Sequence, residues 1–124
     1  MDCLKITSIS WGEIAINSTS MPKAKDCKLY PGGGVKEWDW NETGTRHRPG
    51  IQKGDAEELV RAGAVEIVLS KGMDLKLGVP DETVQWLEDQ GVKVHVAGTR
   101  QAVEIYNRLV EEGVKVGGLF HSTC

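Results

Sequence analysis

The chain has 124 residues, 40% hydrophobic and 27% charged, a length and mix that predict one soluble globular domain over residues 1–124 rather than a disordered segment. A formal net charge of -3, from 15 Lys+Arg against 18 Asp+Glu, argues against a nucleic-acid partner, which would need a basic footprint. No apolar run approaches the roughly 20 residues of a membrane helix, so no membrane partner is expected.

In chain order, Leu4–Trp11 and Glu13–Ile16 alternate with period two around Gly12 and predict two strands joined by a hairpin or a bend. A third strand is expected over Asp26–Tyr30, broken by Pro31-Gly32-Gly33-Gly34, and extended structure resumes over Val35–Trp40. Asn41–Gly54 holds few apolar residues and reads as a long loop on the rim of the sheet.

Three repeats of helix, glycine and β-branched run follow. Asp55 and Glu58 have capping-box spacing, with Asp55 at the N-cap; Gly63 closes that helix and Val65–Leu69 is its strand. Pro80 starts a second helix, Asp81 and Glu82 complement its dipole, Gly91 ends it, and Val92–Val96 is the next strand. Thr99 is the expected N-cap of a third helix with one apolar stripe of Ala102, Val103, Tyr106, Leu109 and Val110. Gly113 ends it, and Val114–Phe120 is the last strand. Strands apolar on both faces, alternating with helices, imply a parallel βαβαβ core within an α/β fold.

Charge divides along the same line. Residues 1–54 carry eight Lys/Arg and six Asp/Glu, whereas residues 55–124 carry seven and twelve, so the β half is mildly basic and the helical half acidic. Cys3, Cys27 and Cys124 are odd in number and without C-x-x-C spacing, which predicts reduced thiols rather than a disulfide framework or zinc ribbon. Met1–Lys5 has neither a secretory signal nor a mitochondrial presequence, and a cytoplasmic location is expected.

The densest chemistry lies in Thr43–Gly50. Thr45, Arg46 and His47, with neighbouring hydroxyls, glycine amides and Arg48, have the groups that hold a carboxylate or phosphate; the plainer alternative is a solvated loop. Trp38 and Trp40 share a face on an extended segment, either covering the core edge or offering an aromatic patch to a partner. Gly72 and Thr99 follow predicted parallel strands, at the edge where open α/β sheets take ligands; each is equally a simple turn. His95, between valines, is expected to be a packed strand residue. His121 and Cys124 lie three apart in a terminal stretch expected to fray, so no metal ligands are assigned. H-E-x-x-H and G-x-S-x-G are absent, no cofactor motif is present, and no catalytic residue is assigned.

Ser10-Trp11-Gly12, Asp26-Cys27-Lys28, Trp38-Asp39-Trp40, Thr43-Gly44-Thr45 with His47 and Pro49-Gly50, and the close from Gly113-Val114 through Val116-Gly117-Gly118 to Phe120–Cys124 recur in one order over nearly the whole chain. In these motifs the chain resembles the adipogenesis-associated MTH-domain-containing protein family. The resemblance implies a three-layer fold, with a central mixed sheet, helices and an added β layer. It also implies a cytoplasmic protein linked to preadipocyte differentiation and adipogenesis, without an established catalytic activity. A more distant branch contains a mitochondrial assembly factor for respiratory complex I; the acidic Met1-Asp2 start and missing presequence count against that branch. The expected function is therefore non-enzymatic: a cytoplasmic regulatory or scaffold protein, monomer or weak homodimer, with an unknown protein partner. The expected surface holds Trp38, Trp40 and the Thr43–Gly50 loop. The alternative is a binder of a small anionic metabolite, or a cryptic enzyme, using Thr45, His47, Gly72 and Thr99.

Overall fold

Period-two alternation organises the N-terminal residues into an antiparallel hairpin. Strand β1 (Ile6–Ser10) pairs with β2 (Glu13–Ile16) across the Trp11-Gly12 turn, and a two-residue β3 (Lys23–Ala24) completes a small sheet. The computed structural model describes residues 3–124; Met1 and Asp2, the acidic start noted above, lie outside the described residues.

The larger sheet has five strands in the order β5 (Val35–Glu37), β4 (Asp26–Leu29), β8 (Val116–His121), β6 (Glu66–Ser70) and β7 (Lys93–Ala97). As expected, β6, β7 and β8 run parallel, while β4 and β5 are antiparallel additions on the β8 side. Between these strands run α1 (Lys53–Arg61), α2 (Asp81–Asp89) and α3 (Thr99–Glu111). From β6 to β7 the chain moves one way along the sheet, and from β7 to β8 it moves back. Right-handed crossovers in opposite directions put α2 and α3 on opposite faces.

Side-chain alternation confirms two cores. Ile67, Leu69 and Leu119 point to the face covered by α1 and α2, where they join Leu59, Leu87, Ile51 and Trp38. Val68 and Phe120 point to the other face and pack with Tyr106, Ala102 and Val103 of α3 and with Ile6, Ile14 and Ile16 of the small sheet. Full burial of each large aliphatic side chain is worth about 1.5–3 kcal/mol, so neither layer is dispensable. Asn107 of α3 ties the β layer down, accepting from the Ile6 amide at 3.0 Å and donating to the Ile6 carbonyl at 2.7 Å. The result is the three-layer mixed α/β architecture anticipated from the sequence.

Several boundaries differ from the pattern reading. Helix α1 starts at Lys53 with Gln52 as N-cap, so Asp55 sits at the third helical position rather than at the cap. Gly98 caps α3 and Thr99 is its first residue. Extended structure after Gly34 stops at Glu37, and Trp40–Glu42 forms a 3-10 turn capped by Asp39, whose carboxylate accepts from the Asn41 amide at 2.9 Å. His95 is half-buried rather than fully packed, because β7 is an edge strand; its Nε2 lies 2.6 Å from Glu66 Oε1.

From the middle of α1, Glu58 accepts from Lys28 Nζ at 3.0 Å and from Tyr30 Oη at 2.9 Å. Lys28 is 3% exposed, and Glu58 is the carboxylate paired with it. The Lys28 hydrogen bond, followed by that from Tyr30, pulls the Glu58 carboxyl from 4.5 down to about 2.

Candidate functional site

Three segments meet at the carboxyl end of the parallel strands: the 43–50 loop, the 71–79 loop after β6, and residues 121–124. The first is anchored by a buried carboxylate. Asp55 is fully enclosed, and its Oδ1 accepts from Trp38 Nε1 at 3.0 Å and Thr43 Oγ1 at 2.6 Å. Its Oδ2 accepts from the Gln52 amide at 2.8 Å and from Thr45 Oγ1. An enclosed carboxylate is costly unless its lone pairs are satisfied, and four donors satisfy these. Gly50 then lets the loop reach the 71–79 loop: the Ile51 amide donates to the Gly78 carbonyl at 2.9 Å, and the Gly78 amide to the His47 carbonyl at 3.0 Å. The Arg48–Pro49 peptide between them is cis.

Held this way, the loop brings His47 into an aromatic cluster. The Trp40 ring lies 5.6 Å from Trp38, 5.1 Å from His47 and 4.7 Å from His121, centroid to centroid, and the two imidazoles are 5.5 Å apart. His121 is the last residue of β8 and faces Asp26 across the antiparallel pair with β4. Its Nδ1 lies 2.8 Å from Asp26 Oδ1. With Nδ1–H donating to that carboxylate, Nε2 is left as the acceptor nitrogen, with Thr123 Oγ1 at 3.2 Å. Cys124 Sγ lies 3.4 Å from His47 Nε2. Trp40 Nε1 is enclosed without a hydrogen-bond partner among the described residues.

Residues 121–124 do not fray. The Met73 amide donates to the Thr123 carbonyl at 2.7 Å and the Lys76 amide to the Cys124 carbonyl at 3.0 Å. Backbone pairing of this kind overturns the expectation that the segment is too loose to hold a defined geometry. A Cβ at Gly72, whose φ is +92°, would collide with the Cys124 carbonyl oxygen, so only glycine lets the two segments lie this close.

The expected site residues therefore divide. Trp40 and His47 belong to the cluster, and Arg46 is exposed beside it, its Nη1 donating to the Thr45 carbonyl at 2.7 Å. Trp38 and Thr45 are buried, 2% and 0% exposed, with their polar atoms committed to Asp55; they support the loop and do not form a surface. Thr99 is also buried: its hydroxyl donates to the His121 carbonyl at 2.7 Å and its amide to the Gly72 carbonyl at 3.1 Å. Gly72 and Thr99 thus brace residues 121–124, which fill the strand-end position where a ligand was anticipated. Of the two indoles, one is sealed and one remains half-buried.

Sequence reasoning missed Asp26 and Asp55 as parts of this site, and it set His121 and Cys124 aside on the expectation of fraying. Asp26 and His121 are 95 positions apart and meet only because β8 lies beside β4, a pairing no local pattern encodes. Cys27 is different, buried with its thiol pushed up to about 12 by desolvation and then by the Asp26 charge, which keeps it protonated and inert.

Outside the cluster, Arg46, His47, Arg48, Lys76 and Cys124 line an open groove of about 860 Å³. Arg46, Arg48 and Lys76 are exposed, and none of them forms an ion pair among the described residues. A second cavity, of about 440 Å³ beside Cys3, Gly32 and Val114, gathers no comparable chemistry. No helix among the described residues is long and apolar enough to cross a membrane.

Solved structures of the same fold are numerous. The chain is similar to the conserved hypothetical protein PH1505 from Pyrococcus horikoshii OT3, at 19% identity and a TM-score of 0.79 over 97% of this chain and 99% of that one. It is similar to a Bartonella henselae protein described as an outer membrane protein, at 18% identity and a TM-score of 0.77 over 98% and 96%. A Bordetella pertussis protein described as a Mth938-like domain matches at 19% identity and a TM-score of 0.68 over 96% and 85%. These likenesses establish the Mth938-like fold. The sequence profile of a family described as "Protein of unknown function (DUF498/DUF598)" matches residues 6–121, and to that family this chain belongs.

Proposed function

We propose that this chain is a non-enzymatic, cytoplasmic regulatory or scaffold protein that holds an acidic segment of a protein partner in the groove beside His47. The observation that carries this reading is the convergence of Arg46, Arg48 and Lys76 on one concave surface with no acidic residue paired to them among the described residues. Exposed cations of this kind contribute little affinity singly, about 0.2–1 kcal/mol each, but together they steer and orient an acidic partner. The loop that carries two of them is fixed by Asp55 and by Gly78, so little ordering entropy opposes binding. Likeness in motif order to the adipogenesis-associated MTH-domain-containing proteins supports a role in preadipocyte differentiation.

The test is charge reversal. An Arg46→Glu, Arg48→Glu double variant is expected to keep the wild-type melting temperature and to lose salt-sensitive partners recovered from differentiating preadipocytes. Recovery of the same partners by both proteins would refute the reading. The groove volume, within the about 300–1,000 Å³ of small-ligand sites, favours a second reading as a binder of a small anionic metabolite. A melting-temperature rise with small anions, abolished in the double variant, would point to that alternative.

A further inference from the structure

We propose that His47, His121 and Cys124 form a site for a zinc ion, with Asp26 as the outer carboxylate behind His121. The three residues offer one ring nitrogen each from the histidines and the Cys124 sulfur, all within 4.8 Å of one another. Two imidazoles and a thiolate are a donor set that suits zinc and disfavours the oxygen-seeking cations magnesium and calcium. Three protein ligands leave a fourth tetrahedral position open, as in zinc sites that bind water or an exchangeable ligand.

The geometry fits at each link. Zinc–sulfur and zinc–nitrogen bonds of about 2.3 Å and 2.0–2.1 Å place neighbouring ligand atoms of a tetrahedron roughly 3.5 Å apart. Cys124 Sγ and His47 Nε2 already stand 3.4 Å apart. The widest separation, up to 4.8 Å, has to close by about 1 Å, within reach of side-chain rotation at His47 and Cys124. His121 needs no reorientation of its proton. Asp26 already takes Nδ1 at 2.8 Å, which presents Nε2 as the ligand and reproduces the carboxylate–histidine–metal arrangement that fixes tautomer and ring plane. His121 is 3% exposed, so this half of the site is preorganised by the β4–β8 pair. Trp40 backs both imidazoles, and His47 and Cys124 line the groove, so the fourth position opens there. On binding, the thiol gives its proton to solvent while both imidazoles coordinate through neutral nitrogens. The site opens into the same groove but uses none of Arg46, Arg48 and Lys76, on which the anion reading rests.

The experiment is a titration of the reduced, metal-free full chain with Co²⁺ as the spectroscopic stand-in, followed by displacement with Zn²⁺. One equivalent is expected to develop a thiolate-to-cobalt charge-transfer band and the intense visible bands of tetrahedral cobalt, both erased by zinc. Cys124→Ser should lose the charge-transfer band, and His47→Gln should weaken zinc binding measured against a chromophoric chelator. Asp26→Asn, which leaves all three ligands in place, should weaken it by roughly 10–100-fold. Far-UV circular dichroism verifies that each variant is folded. Absence of the charge-transfer band in the wild-type chain would overturn the proposal without touching the Arg46–Arg48 reading. So would a band that survives unchanged in Cys124→Ser, since it would then belong to another cysteine.

Discussion

At the scale of single residues, two buried or half-buried carboxylates on α1 do unlike work. Asp55 collects four hydrogen-bond donors and fixes a loop, whereas Glu58 neutralises a lysine that has almost no water. Glu58 has a measurable signature. Its folded value of about 2 lies below its ordinary 4.5, so its stabilising contribution is fully present above the ordinary value and is lost as pH falls toward about 2. Urea unfolding between about pH 6 and pH 2 should therefore show a loss of stability on acidification that is smaller in Glu58→Gln, the two curves converging at the acid end. Parallel curves would reject the assignment. The capping-box spacing that drew attention to Asp55 was a real signal read one turn off: the residue does accept a capping amide, but from Gln52 upstream, and its other oxygen accepts from the Trp38 indole and the Thr43 hydroxyl, which lie remote in sequence. A spacing rule records the local half of such a residue and is blind to the other half.

Among elements, the parallel strands and their helices were legible because burial on both faces leaves apolar runs and period-3.6 stripes in the sequence, and both survive in β6, β8 and α3. The tryptophan pair was less legible. Extended structure predicts a shared face for Trp38 and Trp40, but the strand ends at Glu37 and the 3-10 turn turns Trp40 toward the histidines. The long loop of 43–50 is the larger departure, for it is fastened at both ends rather than solvated. Gly50 has φ +119°, and a Cβ there would collide with the Gly78 carbonyl oxygen. Gly50→Ala should accordingly cost about 2–4 kcal/mol, combining backbone strain with separation of the two loops. Thermal or chemical denaturation reads the loss; an unchanged melting temperature would mean that the loop is not clamped as described.

For the whole molecule, β8 is the element on which both cores and the site depend. All six of its residues are buried; it pairs with β6 on one side and β4 on the other, and it ends in His121. A chain ending at Gly113 should have no cooperative unfolding transition, read by circular dichroism and amide dispersion, because losing β8 opens the sheet at its centre. Amide exchange in the intact chain should be slowest in β8 and faster at the outer strands β5 and β7. The same dependence sets an order of events during synthesis. A ribosome completes seven strands and three helices before β8 emerges, and until then β4 and β6 each carry a bare hydrogen-bonding edge beside oily faces. The nascent chain is thus most exposed to aggregation in the interval before β8 emerges, when a chaperone that shields strand edges would matter most.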